Sequence, residues 1–155
     1  VLLLGGHHAG RDAARVIPDT RGYVVAALAY PYRGTHKPSG TREVLGIAPE
    51  VRRASIATPL AIRLALDWLV AQPWVDASRV EGVGASLGVP YMTVAAATDP
   101  RITRLWAVHG AGRSRLLLAH NARPFVPTPP LRGLAARAAD ALVAGPHLTA
   151  ERWVG

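Results

Sequence analysis

Cysteine is absent from this chain of 155 residues, and its apolar runs are all short. The lack of cysteine excludes a disulfide framework and a thiolate metal site, although it does not fix the cellular compartment. The short apolar runs exclude a helix that spans a lipid bilayer. Half of the residues are apolar and only 18% are charged, a balance typical of a globular domain with a core of its own.

Acidic residues are also scarce: there are 10 of them against 18 basic residues, for a net charge of +8. Lys37 is the single lysine, and the arginines are scattered along the chain with Arg52 and Arg53 as the one adjacent pair. Nucleic-acid-binding proteins concentrate basic residues on one face, often with aromatic side chains for stacking. We therefore expect no nucleic-acid partner.

Strand-like and helix-like segments alternate along the first two thirds of the chain. Strands are predicted at residues 1–5, 23–29, 80–83 and 102–108, the first two of them apolar, and helices at residues 53–71 and 87–97. This alternation predicts an α/β fold with a mostly parallel sheet and right-handed crossovers. Further helices are expected at residues 115–122 and 131–144. We therefore predict a core over residues 1–112 and a helical cap or insertion over residues 113–155.

The strongest predicted helix follows a loop rich in Gly, Pro, Ser and Thr at residues 31–46. Leu60, Leu64 and Trp68 recur at helical spacing and share one face. Pro59 is expected near the start of this helix, and Pro73 must lie beyond its end, because proline cannot continue a helix.

A G-x-S-x-G pattern stands between the third predicted strand and the apolar helix that follows: Gly84, Ala85, Ser86, Leu87 and Gly88. In this context the pattern is typical of a nucleophile elbow, in which a serine on a sharp strand-to-helix turn exposes its hydroxyl. The turn strains the serine backbone and brings neighbouring segments close together. Side chains at positions 84 and 88 should therefore clash with their surroundings.

The order of segments resembles the α/β-hydrolase superfamily across residues 1–112. Three segments carry the likeness besides the elbow: the apolar strand that leads to Gly5-Gly6-His7, the R-G-Y-x-V-like stretch at residues 21–25, and the Y-P-Y-R-G loop at residues 30–34. Residues 67–80 are similar to the dienelactone-hydrolase-like and prolyl-oligopeptidase-like branches. The resemblance implies a three-layer αβα sandwich and a serine hydrolase.

By this resemblance, Ser86 is the nucleophile that attacks an acyl carbonyl and forms an acyl-enzyme. The backbone N–H groups of Leu87 and His7 are the expected donors to the oxyanion. His8 is a neighbouring candidate for the second donor and for substrate contact, and His109 is a candidate for substrate contact at the end of the fourth strand. Because the side chains of adjacent residues point apart, His7 and His8 predict no metal site.

The superfamily places an acid and then a histidine after the serine in chain order. Asp99 is interpreted as a helix cap, Asp140 as part of the solvated face of a helix, and His147 as a loop residue. None of the three is expected to act as acid or base. Both ends of the chain look cut, so we expect the acid and the histidine beyond Gly155 and little activity from this piece alone.

The leading hypothesis is therefore a serine hydrolase of small carboxylic esters or acyl compounds that needs no cofactor and works in the cytoplasm. A serine peptidase of the prolyl-oligopeptidase-like type is the first alternative, and a non-catalytic binding module of the same fold is the second. An oxidoreductase is disfavoured, because Gly82 and Gly84 lack the third glycine of a dinucleotide-binding loop.

Overall fold

The computed structural model describes residues 1–6, 9–34, 41–110, 113–123, 126–142, 145–149 and 152–153. Four strands form one sheet in the order β2-β1-β3-β4, and every pairing is parallel. The strands are β1 (Leu2–Leu4), β2 (Ala26–Ala27), β3 (Val80–Ala85) and β4 (Ile102–Val108). The expected α/β class and parallel sheet are confirmed.

Five α-helices lie within the described residues: α1 (Thr41–Val70), α2 (Gly88–Thr98), α3 (Ser114–Asn121), α4 (Pro129–Leu142) and α5 (Gly145–Leu148). Short 3-10 helices cover Gly10–Val16 and Ala77–Arg79. Among the described residues, no helix combines the length and the apolar character needed to cross a membrane.

Helix α1 begins at Thr41, well before the predicted start, so the prediction of a loop through residue 46 was wrong. Both Pro49 and Pro59 lie inside the helix and not near its start. Proline removes one backbone hydrogen bond, but packing of a buried face can outweigh that loss. In the turn before Pro59, the buried Thr58 Oγ1 donates to the carbonyl of Ala54 at 2.7 Å.

The apolar face formed by Leu60, Leu64 and Trp68 lies on the outside of α1, where these side chains are 58–60% exposed. The opposite side packs inward through the fully buried Ile62 and Leu66. The small residues Ala54, Ser55 and Thr58 are also buried, and α1 contacts α2. Helical spacing identified a shared face but not the one that contacts the core.

The hydrophobic core lies between one face of the sheet and the helices α1 and α2. Its members include Leu2, Leu4, Ile62, Leu66, Val80, Tyr91 and Met92. On the other face of β3 and β4, Trp106 and Arg104 are exposed and both contact Glu81, at 2.8 and 3.2 Å. A second helical layer over this part of the sheet is not seen among the described residues.

Helices α3, α4 and α5 pack on one another, and Leu148 of α5 joins the core. Asp140 of α4 is 1% exposed and accepts hydrogen bonds from Ser114 Oγ at 2.5 Å and Arg115 Nε at 3.2 Å. The interpretation of Asp140 as part of a solvated face was therefore wrong. Its buried charge is compensated by these two donors from α3.

Candidate active site

Ser86 is the first of the two residues between the end of β3 and the start of α2. Its φ of +52° lies in the left-handed region, and its side chain is exposed. A residue other than glycine takes this conformation only where the surrounding structure holds it there, and such residues concentrate at functional sites. The turn therefore has the backbone geometry expected of a nucleophile elbow.

The two glycines of the pattern are required by close contacts. A Cβ on Gly84 would lie 2.8 Å from Val89 Cα and 2.9 Å from the carbonyl oxygen of Gly88. A Cβ on Gly88 would overlap the carbonyl oxygen of Leu4. The predicted clashes at positions 84 and 88 are confirmed.

The chain leaves β1 and β3 in opposite directions along the sheet, because β1 leads to β2 on one side and β3 leads to β4 on the other. In open parallel sheets a crevice forms at the carboxyl ends of two such strands, and ligands bind there. Ser86 follows β3 at this point and Gly6 follows β1. A Cβ on Gly6 would lie 3.9 Å from Ser86 Oγ, so the main chain of Gly6 faces the serine side chain.

Leu87 is the N-cap of α2, with φ −59° and ψ −23°. Among the described residues, no backbone carbonyl accepts a hydrogen bond from its N–H. Free N–H groups and the helix dipole at an N-terminus favour negative charge. The backbone of Leu87 is therefore suited to bind an oxyanion beside Ser86. His7 and His8, the residues expected to supply the second donor, lie outside the described residues.

His109 lies at the same edge of the sheet, directly after β4. The Ser86 N–H donates to the carbonyl of Val108 at 2.8 Å, which fixes the elbow to this strand end. His109 is exposed and has a φ of +51°, a second left-handed residue beside the first. Gly110 lies against Val89, so that the chain after β4 passes over the first turn of α2. This placement keeps His109 a candidate for substrate contact.

No described side chain forms a hydrogen bond with Ser86 Oγ, and the two described acids after Ser86, Asp99 and Asp140, bind other residues. Asp99 caps the end of α2, as expected, is 3% exposed, and binds Arg101 and Arg63. The hydrogen bond from Arg101 holds the pKa of Asp99 below its usual value. His147 lies within α5 and not in a loop. Among the described residues, neither Asp99 nor Asp140 is paired with a histidine, so neither forms an acid–base pair in this structure.

Within the described ranges, no three His, Asp or Glu side chains lie close enough together to hold a metal ion. A polar contact near the site was not predicted from the sequence. Tyr30 OH donates to the carbonyl of Gly5 at 2.6 Å, and Ser55 and Tyr91 hydroxyls lie 3.1 Å apart behind it. The pattern Y-P-Y-R-G drew attention to this segment, but nothing in it indicates which hydroxyl turns inward.

The exposed serine, the free N–H at the helix start and the Gly5–Gly6 turn meet at the carboxyl ends of β1 and β3. Such an arrangement can hold a carbonyl group over a hydroxyl nucleophile. The chain matches no protein-family model, and no curated protein and no solved structure matches it. The proposed function therefore rests on the geometry of the site.

Proposed function

We propose that this chain forms the core of a serine hydrolase, with a partial α/β-hydrolase fold, that cleaves carboxylic esters through an acyl-enzyme on Ser86. The observation that carries this proposal is the left-handed backbone of Ser86 at the switch point of the parallel sheet. A structural serine at a turn has no need of this strain, whereas a nucleophile gains an exposed hydroxyl from it.

In the first step, Ser86 Oγ forms a bond to the carbonyl carbon of the ester while its proton passes to a base. Collapse of the tetrahedral intermediate breaks the bond to the alkoxy oxygen, which leaves as the alcohol after it takes up a proton. In the second step, water attacks the acyl-serine, releases the carboxylic acid and returns the proton to Ser86. The base and the acid that orients it are not assigned to residues of this chain.

The negative oxygen of each intermediate would bind to the N–H of Leu87, with the dipole of α2 adding to the attraction. The second donor is proposed in the turn that continues from Gly6, with the His7 N–H as the candidate. Losing one donor of this kind raises the activation barrier by about 3 kcal/mol. His109 is proposed to contact the substrate from the neighbouring strand end.

The test is covalent labelling of the intact native protein in which this sequence occurs with a fluorophosphonate, followed by peptide mapping of the labelled serine. We expect the label on Ser86 and its loss in Ser86→Ala. Ser78→Ala is a matched control, because Ser78 lies at the opposite edge of the sheet, where its hydroxyl donates to Asp76 at 2.6 Å. Absence of label on the unchanged chain, or label that persists in Ser86→Ala, would instead favour the non-catalytic binding module.

Turnover of p-nitrophenyl acetate and of a prolyl p-nitroanilide then separates esters from peptide-like amides. We expect release of p-nitrophenol from the ester to exceed release of p-nitroaniline at equal concentration. The reverse order would favour the peptidase of the prolyl-oligopeptidase-like type. Ser86→Ala should abolish either activity.

A further inference from the structure

Tyr30 makes a contact that the proposed chemistry does not use. It follows β2 and reaches across to the chain that leaves β1, where its hydroxyl donates to the carbonyl of Gly5 at 2.6 Å. Tyr30 is half-buried, so this hydrogen bond is partly shielded from water. It connects two loops at the carboxyl edge of the sheet, on the side of the crevice opposite β4.

The ring of Tyr30 is itself held in place. It packs edge to face on Tyr91 of α2, with centroids 5.7 Å apart and planes at 67°. Tyr91 is 6% exposed, and its hydroxyl lies 3.1 Å from Ser55 Oγ of α1. Burial raises the pKa of both tyrosines, so Tyr30 remains protonated and able to donate across the physiological pH range.

Gly5 lies where Tyr30 and the elbow meet. A Cβ on Gly88 would come within 3.1 Å of the Gly5 carbonyl oxygen, so this oxygen lies between the tyrosine hydroxyl and the start of α2. A Cβ on Gly5 would lie 2.8 Å from Ala13 Cβ, which leaves the turn little freedom on its other side. The next residue, Gly6, faces Ser86.

Because a peptide unit is planar, a hydrogen bond to the Gly5 carbonyl also fixes the direction of the Gly6 N–H in the same unit. We propose that Tyr30 is a positioning residue: its hydroxyl holds the Gly5–Gly6 peptide in the orientation that the active-site crevice requires beside Ser86. This proposal rests on the proposed function for its catalytic consequence. A displacement of about 1 Å in such a turn can lower a rate about 100-fold.

The test is Tyr30→Phe, which removes one oxygen and keeps the ring contact with Tyr91. We expect the maximal rate of Ser86 labelling by a fluorophosphonate to fall about 10-fold. The fluorophosphonate concentration that gives half of this rate should change less than twofold. Loss of positioning lowers the rate of the chemical step, whereas loss of folded protein lowers only the labelled fraction. An unchanged maximal rate, or a fall in labelled fraction alone, would overturn the proposal.

Two variants serve as controls for the loss of a tyrosine hydroxyl. Tyr23→Phe removes a hydroxyl from an exposed residue distant from Ser86, and Tyr91→Phe removes the deeper hydroxyl while it leaves the Tyr30–Gly5 bond in place. In both variants, the rate of Ser86 labelling should be within threefold of the rate in the unchanged chain. A 10-fold fall in Tyr91→Phe would overturn the assignment to Tyr30 and favour a general packing effect.

Hydrogen exchange tests the role of Tyr30 independently of the proposed function of Ser86. Amide exchange in the peptide that contains Gly5 and Gly6 should be several-fold faster in Tyr30→Phe and unchanged in Tyr23→Phe, whether or not Ser86 reacts. If the unchanged chain takes no label, the proposed function fails, and faster exchange still supports Tyr30 as the residue that holds the turn. Unchanged exchange in Tyr30→Phe overturns the proposal in either case.

If Tyr30→Phe does not fold, 3,5-difluorotyrosine at position 30 keeps the ring and the hydroxyl but lowers the pKa of the phenol. Exchange of the Gly5–Gly6 amides, corrected for its intrinsic pH dependence, should then accelerate as the pH rises through that pKa, because a phenolate cannot donate to a carbonyl. The unchanged chain should show no such step. A profile without a step in the fluorinated chain would overturn the proposal.

Discussion

Ser86 occupies a backbone conformation that costs free energy in every residue except glycine. A left-handed φ in a residue with a Cβ costs about 1 kcal/mol or more, and the value here is +52°. Under the proposed function, the strain at this exposed serine is a case in which activity and stability compete.

We expect Ser86→Gly to be more stable than Ser86→Ala by about 1 kcal/mol, because only glycine relieves the strain. Urea denaturation of the two variants measures this difference, since neither retains the hydroxyl. Equal midpoints would show that the strain at position 86 has no measurable energetic cost.

At Gly88, substitution is limited by the space available for a side chain and not by the backbone conformation. Gly88→Ala should lower the free energy of unfolding by about 3 kcal/mol or more, because the new methyl group would overlap the carbonyl of Leu4 and force β1 and α2 apart. Gly133→Ala is the matched control: no atom lies within 4 Å of its Cβ position in α4, so alanine should stabilise that helix by about 0.5–1 kcal/mol. Similar midpoints for the two variants in urea would contradict this contrast.

At the residue scale, the sequence was informative wherever a requirement is steric and local. The G-x-S-x-G pattern predicted the clashes at positions 84 and 88, because the turn itself imposes them. The burial of Asp140 was not predictable, since it depends on Ser114 and Arg115 from a neighbouring helix. The hydrogen bond of Tyr30 was not predictable for the same reason, because its acceptor, the Gly5 carbonyl, follows a different strand.

Among the elements, helix α1 offers the sharpest test of which face supports the core. Ile62→Ala and Leu66→Ala should each cost about 2–5 kcal/mol, because both side chains are fully buried. Leu60→Gln and Leu64→Gln should each change the free energy of unfolding by about 0.5 kcal/mol or less, because these side chains remain in water. Urea denaturation measures all four, and a large loss in either glutamine variant would place the exposed face in the core.

The turn between α2 and β4 depends on a buried carboxylate. Because the pKa of Asp99 is lowered in the folded chain, its stabilising effect is fully present above its ordinary pKa of about 3.9 and is lost as the pH falls through the folded value. Asp99→Asn should cost about 1–3 kcal/mol at pH 7, and the difference from the unchanged chain should shrink below about pH 4.

Urea denaturation from pH 3 to pH 7 follows this change. Asp12→Asn provides the control, because Asp12 pairs with Arg15 on the surface, where the two side chains are 69% and 85% exposed. Such a pair contributes little, so this variant should follow the unchanged chain at every pH. A constant difference for Asp99→Asn across the range would show that Asp99 acts through packing and not through its charge.

At the element scale, the existence and order of strands and helices were predictable, and their limits less so. The bounds of β4 agree with the prediction, because this mostly apolar segment lies between clear turn residues. The start of α1 was missed because Gly46, Pro49 and Pro59 disfavour a helix locally, and the packing of its buried face outweighs them. The strand predicted at residues 23–29 pairs only through Ala26–Ala27.

The molecule as a whole carries a long apolar ridge on its surface. Ile56, Leu60, Leu64 and Trp68 follow one another along α1, each more than half exposed. Contiguous apolar patches of this kind promote association in soluble proteins. We expect the sedimentation coefficient to rise with protein concentration, and the rise to disappear in the double variant Leu60→Gln/Leu64→Gln. Equal concentration dependence in both chains would exclude the ridge as the contact.

The pairing of Leu4 with Gly84 joins parts of the chain that are far apart in sequence. A contact of this kind closes a long loop, and its entropic cost slows folding relative to helices, which form from near neighbours. The turn at Ser86 meets the Gly5–Gly6 turn, on the other side of the crevice, only after this loop has closed. The site is therefore expected to be among the last parts of the chain to assemble during folding, so that recovery of Ser86 reactivity after dilution from urea should lag behind the recovery of helical structure.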